Sequence, residues 1–185
     1  MRLFIGVEVP EELKQKLLSV QQRLESLADI KLVEPENLHF SLKFLGEVNE
    51  DRVNKIREVL TTTAEKFSSF TLTLKGIGAF PSTDFARIIW AGCSAGSKEL
   101  EALAGFIDLE LSKAGFSAEQ RSFTAHLTLS RIKQSEKNLT LQKFISQNTN
   151  LEFGSMKVPK ISLIKSTLTP AGPAYEEIFS VGLKE

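Results

Sequence analysis

Residues 38–42 read LHFSL and residues 125–129 read AHLTL. His39 and His126 are the only two histidines of the 185-residue chain, and each is followed by an apolar residue, a hydroxyl residue and a leucine. That alternation is the pattern of a strand with one buried face. Along such strands His39, Ser41 and Lys43 share one side and Phe40, Leu42 and Phe44 the other, while His126, Thr128 and Ser130 stand opposite Leu127 and Leu129. Each strand thus presents an imidazole and then a hydroxyl, in the same order, from an apolar support. A phrase repeated in this way, preceded each time by a polar stretch and followed by a helical pattern, points to two similar halves facing one another.

Working outward, RLFIGVEV at the start has strand character, and Pro10, Glu11 and Glu12 open a helix whose apolar stripe is Leu13, Leu17, Val20, Leu24 and Leu27. A second helix starts at Asn49–Glu50 and carries Val53, Ile56, Leu60 and Phe67; a third spans about Ser97 to Ala114, with Gly115 as its stop. Between and after them lie short strand-like runs: KLVE, LHFSLKFL, FTLTLKGIGAF, ARIIWAG, TAHLTLSRI, EFGSMKV, KISLIKSTL and EIFSVGL. Residues 81–84 read as a turn and 134–138 as a polar loop. This interleaving is neither a parallel βαβ series nor all-β, so the expected class is α+β with antiparallel sheets.

Length fits one two-lobed domain over residues 1–185, with no linker or low-complexity segment. No apolar run is long enough to span a bilayer, and the acidic start does not resemble a signal peptide, so a cytoplasmic protein without membrane partners is expected. Lysines plus arginines equal aspartates plus glutamates at 23 each, which disfavours an extended polyanion track but not a short nucleic-acid contact. Cys93, the one cysteine, sits in the apolar phrase IIWAGC and reads as a small core residue.

If the two strands face one another, the cleft between them holds two imidazoles and two hydroxyls. Hydroxyls donate hydrogen bonds to a tetrahedral anion such as a phosphoryl group. One neutral imidazole takes a proton from an attacking water while the other, protonated, gives one to the departing oxygen. An ordinary histidine pKa near 6.5 allows both forms near neutrality. This chemistry needs no metal and no cofactor. Metal hydrolysis fits less well, because neither phrase carries a carboxylate at the next positions on the same face. A nucleophilic Ser41 lacks the GxSxG elbow, and GIGAF lacks the Lys-Ser/Thr of a phosphate loop.

At these residues the chain resembles the two-histidine (2H) phosphoesterase superfamily, whose signature is a pair of HxTx or HxSx motifs. The wider contexts HFSLKFLG at 39–46 and FTAHLTLSR at 123–131 look like the branch called RNA 2′,3′-cyclic phosphodiesterase, also 2′-5′ RNA ligase. MRLFIGVEVP, GIGAFP, RIIWAG and KSTLTPAGPAYEEI extend the similarity along the chain. The resemblance implies a bilobal, pseudo-twofold α+β fold, each lobe an antiparallel sheet with helices on its outer face and the motif strands lining a groove between lobes. It implies hydrolysis of 2′,3′-cyclic phosphates at RNA 3′ ends to 2′-phosphomonoesters, on tRNA fragments or nucleotides, by a monomer.

By the motif match His39 and His126 are the catalytic pair, and Ser41 and Thr128 the phosphate-holding hydroxyls. Arg131 is a further phosphate ligand, provided the strand bulges or ends before it, since regular alternation turns it away from His126. Lys43, on the His39 side of its strand, is a candidate phosphate contact or a rim lysine. Two departures from the branch, Ser41 for Thr and Ala125 for Pro, spare the chemistry. Two other activities are compatible with the motifs: ATP-independent 2′-5′ end joining by the reverse reaction, and binding of nucleotides or RNA ends without turnover.

Overall fold

Antiparallel strand pairing organises the computed structural model, which describes all 185 residues. One sheet has four strands in the order β3 (His39–Glu47), β1 (Arg2–Glu8), β8 (Lys160–Thr169) and β9 (Gly172–Gly182). The other has five, in the order β2 (Ile30–Leu32), β6 (His126–Ile132), β5 (Ile88–Cys93), β4 (Phe70–Phe80) and β7 (Glu152–Val158). Every neighbouring pair in both sheets is antiparallel. The expected α+β class with two antiparallel sheets is therefore what forms.

Four helices, α1 (Glu11–Glu25), α2 (Glu50–Ala64), α3 (Ser97–Lys113) and α4 (Leu139–Gln147), cover the sheets. Helix α1 buries Leu13, Leu17, Val20 and Leu24 on β2, β6 and β7. Although it lies between β1 and β3 in the chain, it covers the other sheet. Its stripe also carries Gln21, whose side-chain amide donates to the carbonyls of Val33 (2.8 Å) and Leu129 (2.7 Å), tying α1 to the segment after β2 and to β6. Helix α2 packs on β8, β9 and α3. Helix α3 ends where expected: Gly115 takes φ +82°, a left-handed conformation that glycine adopts without Cβ strain. Helix α4 is not among the three helices that the sequence predicts; the Asn138 side chain caps it by accepting from the Leu141 backbone N–H (2.9 Å). No helix is long and apolar enough to cross a membrane.

The two halves repeat at the level of register. Strand β1 pairs with β3 through Glu8–His39, Val7–Phe40, Gly6–Ser41, Ile5–Lys43 and Phe4–Phe44. Strand β5 pairs with β6 through Gly92–His126, Ala91–Leu127, Trp90–Thr128, Ile89–Ser130 and Ile88–Arg131. In both ladders one step along the partner corresponds to two steps along the motif strand, immediately after the hydroxyl residue. Each motif strand therefore carries a bulge at the same place, and a bulge reverses which side later residues face.

Candidate active site

The bulges decide which motif residues meet. His39, Ser41, Thr128 and Arg131 line one groove of about 540 Å³, bounded also by Phe4, Phe44 and Tyr175. Strands β3 and β6 approach each other across it without sharing a ladder. His126 lies outside the lining of that cavity, two residues before Thr128 on the same face of β6. Its ring stands edge-on to Phe80, with centroids 5.0 Å apart, and to Trp90 at 6.4 Å. Arg131 reaches the groove because of the bulge after Thr128, which meets the condition that the sequence imposes on it.

The same bulge corrects the expectation for Lys43. Regular alternation places it beside Ser41, but the extra residue turns it to the opposite face and brings Phe44 to the groove, 60% exposed. Lys43 is 3% exposed and lies neither in the groove nor on its rim. Its ammonium donates to the Asp108 carboxylate on α3 and to the Ser117 carbonyl (2.8 Å). Asp108 in turn accepts from the Glu119 backbone N–H (3.0 Å), so this ion pair fastens β3 to the segment leading to His126. The residue in the equivalent place on β6 is Ser130, also fully buried.

Each imidazole faces a carbonyl two residues upstream. His126 Nδ1 lies 2.7 Å from the Thr124 carbonyl oxygen. A carbonyl only accepts, so Nδ1 carries the proton and Nε2 is left for chemistry. For His39 the corresponding carbonyl is that of Asn37, which raises the ring's basicity although the buried Nδ1 has no partner in full hydrogen-bond geometry. Asn37 is itself held by donating its side-chain amide to the Pro173 carbonyl (2.7 Å), joining the turn before β3 to the β8–β9 hairpin. No group of three or more His, Cys, Asp or Glu side chains converges in metal-ligating geometry.

A family model described as LigT-like phosphoesterase matches the chain twice, over residues 7–90 and 92–175. The chain belongs to the LigT-like phosphoesterase family. Each matched segment contains one histidine phrase, so the repeat noted in the sequence is the family's own. An RNA 2′,3′-cyclic phosphodiesterase of Methanothermobacter thermautotrophicus is 37% identical over 179 residues, covering 96% of each chain. One of the same name from Methanocaldococcus jannaschii is 39% identical over 178 residues, covering 96% of this chain and 98% of the relative. Among solved structures, TT0787 of Thermus thermophilus superposes with a TM-score of 0.84 at 26% identity, covering all of this chain and 98% of the other. The LigT of E. coli complexed with 3′-AMP gives 0.82 at 22% identity, again over all of this chain and 98% of the other, and shows the shared fold.

Within this LigT-like phosphoesterase the two histidines occupy different surroundings. Burial lowers the His39 pKa below the ordinary 6.5, with Asn37 and Glu8 opposing the shift. Burial favours the neutral ring. The consequence for stability follows by linkage: just below pH 6.5 the unfolded chain binds this proton more tightly than the folded one. Stability is therefore expected to rise with pH through that window and to be insensitive to His39 above it. Urea denaturation of the protein and of His39→Gln between pH 5 and 7.5 checks this; the variant is expected to lose that part of the slope, and an unchanged slope would refute the assignment. The Cys93 thiol, pushed up to about 12 by burial, is not a nucleophile near neutrality.

Several residues that shape the site carry no signal in the motifs. Phe4 and Tyr175 flank His39 edge-on, at 6.3 and 5.8 Å, and pack on each other at 4.9 Å. Trp90 and Tyr175 are the only residues of their kinds, in stretches that carry the family resemblance, and that rarity is the available clue. The indole of Trp90 lies over Gly78: a Cβ there would stand 2.2 Å from two ring carbons. Gly78→Ala must displace the ring that supports His126. A loss of roughly 1–3 kcal/mol is expected from the overpacking, together with reduced turnover, both measurable on the purified variant. Wild-type stability and rate would show that the ring moves freely.

Proposed function

We propose that this protein hydrolyses 2′,3′-cyclic phosphates at RNA 3′ ends to 2′-phosphomonoesters, using His39 and His126 as the acid/base pair and no metal. Water attacks the cyclic phosphorus and the bond from phosphorus to the 3′ oxygen breaks. One imidazole takes the water's proton and the other protonates the departing oxygen, so the protein ends with the protons exchanged between its rings and restores them through solvent. Ser41, Thr128 and Arg131 hold the phosphoryl oxygens, where charge accumulates as the fifth oxygen arrives.

The observation that carries this reading is the duplicated presentation: the same histidine, the same hydroxyl position and the same bulge on two strands that face one groove. The relatives named RNA 2′,3′-cyclic phosphodiesterase support the substrate. The crossing of α1 onto the far sheet supports one catalytic unit over residues 1–185.

The test is an oligonucleotide ending in a 2′,3′-cyclic phosphate, incubated with the protein in excess EDTA, with the product's phosphate located by NMR. Conversion to the 2′-phosphate at an undiminished rate is expected. A 3′-phosphate product, or loss of turnover that zinc restores, would overturn the mechanism.

A further inference from the structure

The groove extends well beyond the proposed reaction centre. Apart from His39, four charged residues line it: Arg2, Lys31, Arg131 and Glu34. In a chain with no net charge this lining has an excess of cations. None of Arg2, Lys31 and Arg131 takes part in the ion pairs that occupy much of the remaining surface. Arg131 follows Thr128 directly across the bulge and belongs to the inner phosphate site. Arg2 stands further along β1, and Lys31 lies beside Arg131 on the neighbouring strand.

Arg2 lies four residues along β1 from Gly6, the partner of Ser41, a backbone distance of about 13 Å at ordinary strand rise. Lys31 pairs with Arg131 across β2 and β6 and so shares its face. Its ammonium reaches toward the β8–β9 turn and would stand 3.8 Å from a Cβ at Gly172. Arg2 and Lys31 thus approach the outer groove from opposite sheets. Both Arg131 and Arg2 act on the Tyr175 phenol: burial raises its pKa, and the two guanidiniums pull it back down. Cations from three strands therefore line the groove next to an aromatic wall, Arg2 entering it from a backbone position well along β1 from the partner of Ser41.

Resting on the proposed function, we infer that Arg2 and Lys31 form a second phosphate subsite, which takes the phosphate on the 5′ oxygen of the nucleoside that carries the cyclic end. That phosphate belongs either to the preceding internucleotide linkage of an RNA or to a 5′-phosphorylated nucleotide. The groove consequently prefers substrates carrying it over a cyclic mononucleotide without it.

Four ligands separate the possibilities: a 2′,3′-cyclic mononucleotide, its 5′-phosphorylated form, a dinucleotide with the same cyclic end, and that dinucleotide with an uncharged methylphosphonate linkage. Turnover is measured for each, and binding of the corresponding 2′-phosphate products is measured by calorimetry. A charged 5′ group is expected to improve kcat/KM and product affinity about tenfold or more, as charge-assisted hydrogen bonds do. Its logarithmic salt slope should be steeper by about 0.7. Arg2→Gln and Lys31→Gln should each remove most of that ratio. A gain with the dinucleotide alone identifies the linkage as the ligand, and a gain with both charged forms identifies the phosphate itself.

If the methylphosphonate performs as well as the native linkage, or the variants keep the full ratio, the subsite is refuted. Absence of turnover with all four ligands would refute the proposed function, while the product-binding ratios would still decide the subsite.

Discussion

A His39→Ala or His126→Ala variant is expected to lose roughly 10²- to 10⁴-fold in kcat on a cyclic-phosphate dinucleotide. The proposed reaction moves two protons in one displacement, one from water and one to the leaving oxygen. Losing either ring leaves one transfer to solvent while the phosphate contacts remain. Two groups serving the same step are not independent, so the double variant should be little slower than the worse single variant. Both rings are only partly buried, so the folded state survives either change and thermal melting should confirm it. A variant near the wild-type rate removes that histidine from the mechanism, and fully multiplicative losses would place the two rings in separate steps.

The largest expected effect on stability lies outside the groove. Lys43→Met keeps the apolar stem but leaves the Ser117 carbonyl without its donor and Asp108 without its cation. The Lys43 side chain is 2% exposed and that of Asp108 25%. Breaking a buried ion pair from one side costs about 3–5 kcal/mol. Because Asp108 keeps some solvent and the Glu119 amide, roughly 2–4 kcal/mol is expected from the same source. That is a large share of the roughly 5–15 kcal/mol typical of a folded domain. Urea denaturation measures it directly. Adding Asp108→Leu should recover part of the loss, since an apolar pair no longer strands a charge. A Lys43→Met protein as stable as the original would show that the pair is incidental.

Lys43 and Arg131 together mark how far the sequence can be read. The strand phrases, the apolar stripes of three helices, the glycine stop at Gly115 and the α+β class all follow from local periodicity, which the chain displays openly. The bulges do not. A bulge is a property of two paired strands, and nothing in LHFSLKF alone says that the ladder skips a residue after Ser41. Arg131 finds its place because its motif position demands a break in alternation; on the first strand no such demand is written, and unbroken alternation puts Lys43 on the wrong side. Helix α4 escapes because its nine residues show only about two and a half turns of pattern and open with the strand-like sequence LTL. Arg2, Phe4 and Tyr175 come to the groove through pairing of β1 with β8 and of β8 with β9, which joins the two ends of the chain in a way that no window of sequence contains.

The matched bulges also set Phe44 and Arg131 in equivalent positions on the two walls. A scaffold repeated about a pseudo-twofold axis would, with identical linings, receive an elongated molecule equally well head first or tail first. Here one wall offers a π face and the other a guanidinium at the same level. The frame is ambidextrous and its furnishing is not, so the two walls of the groove are chemically distinct.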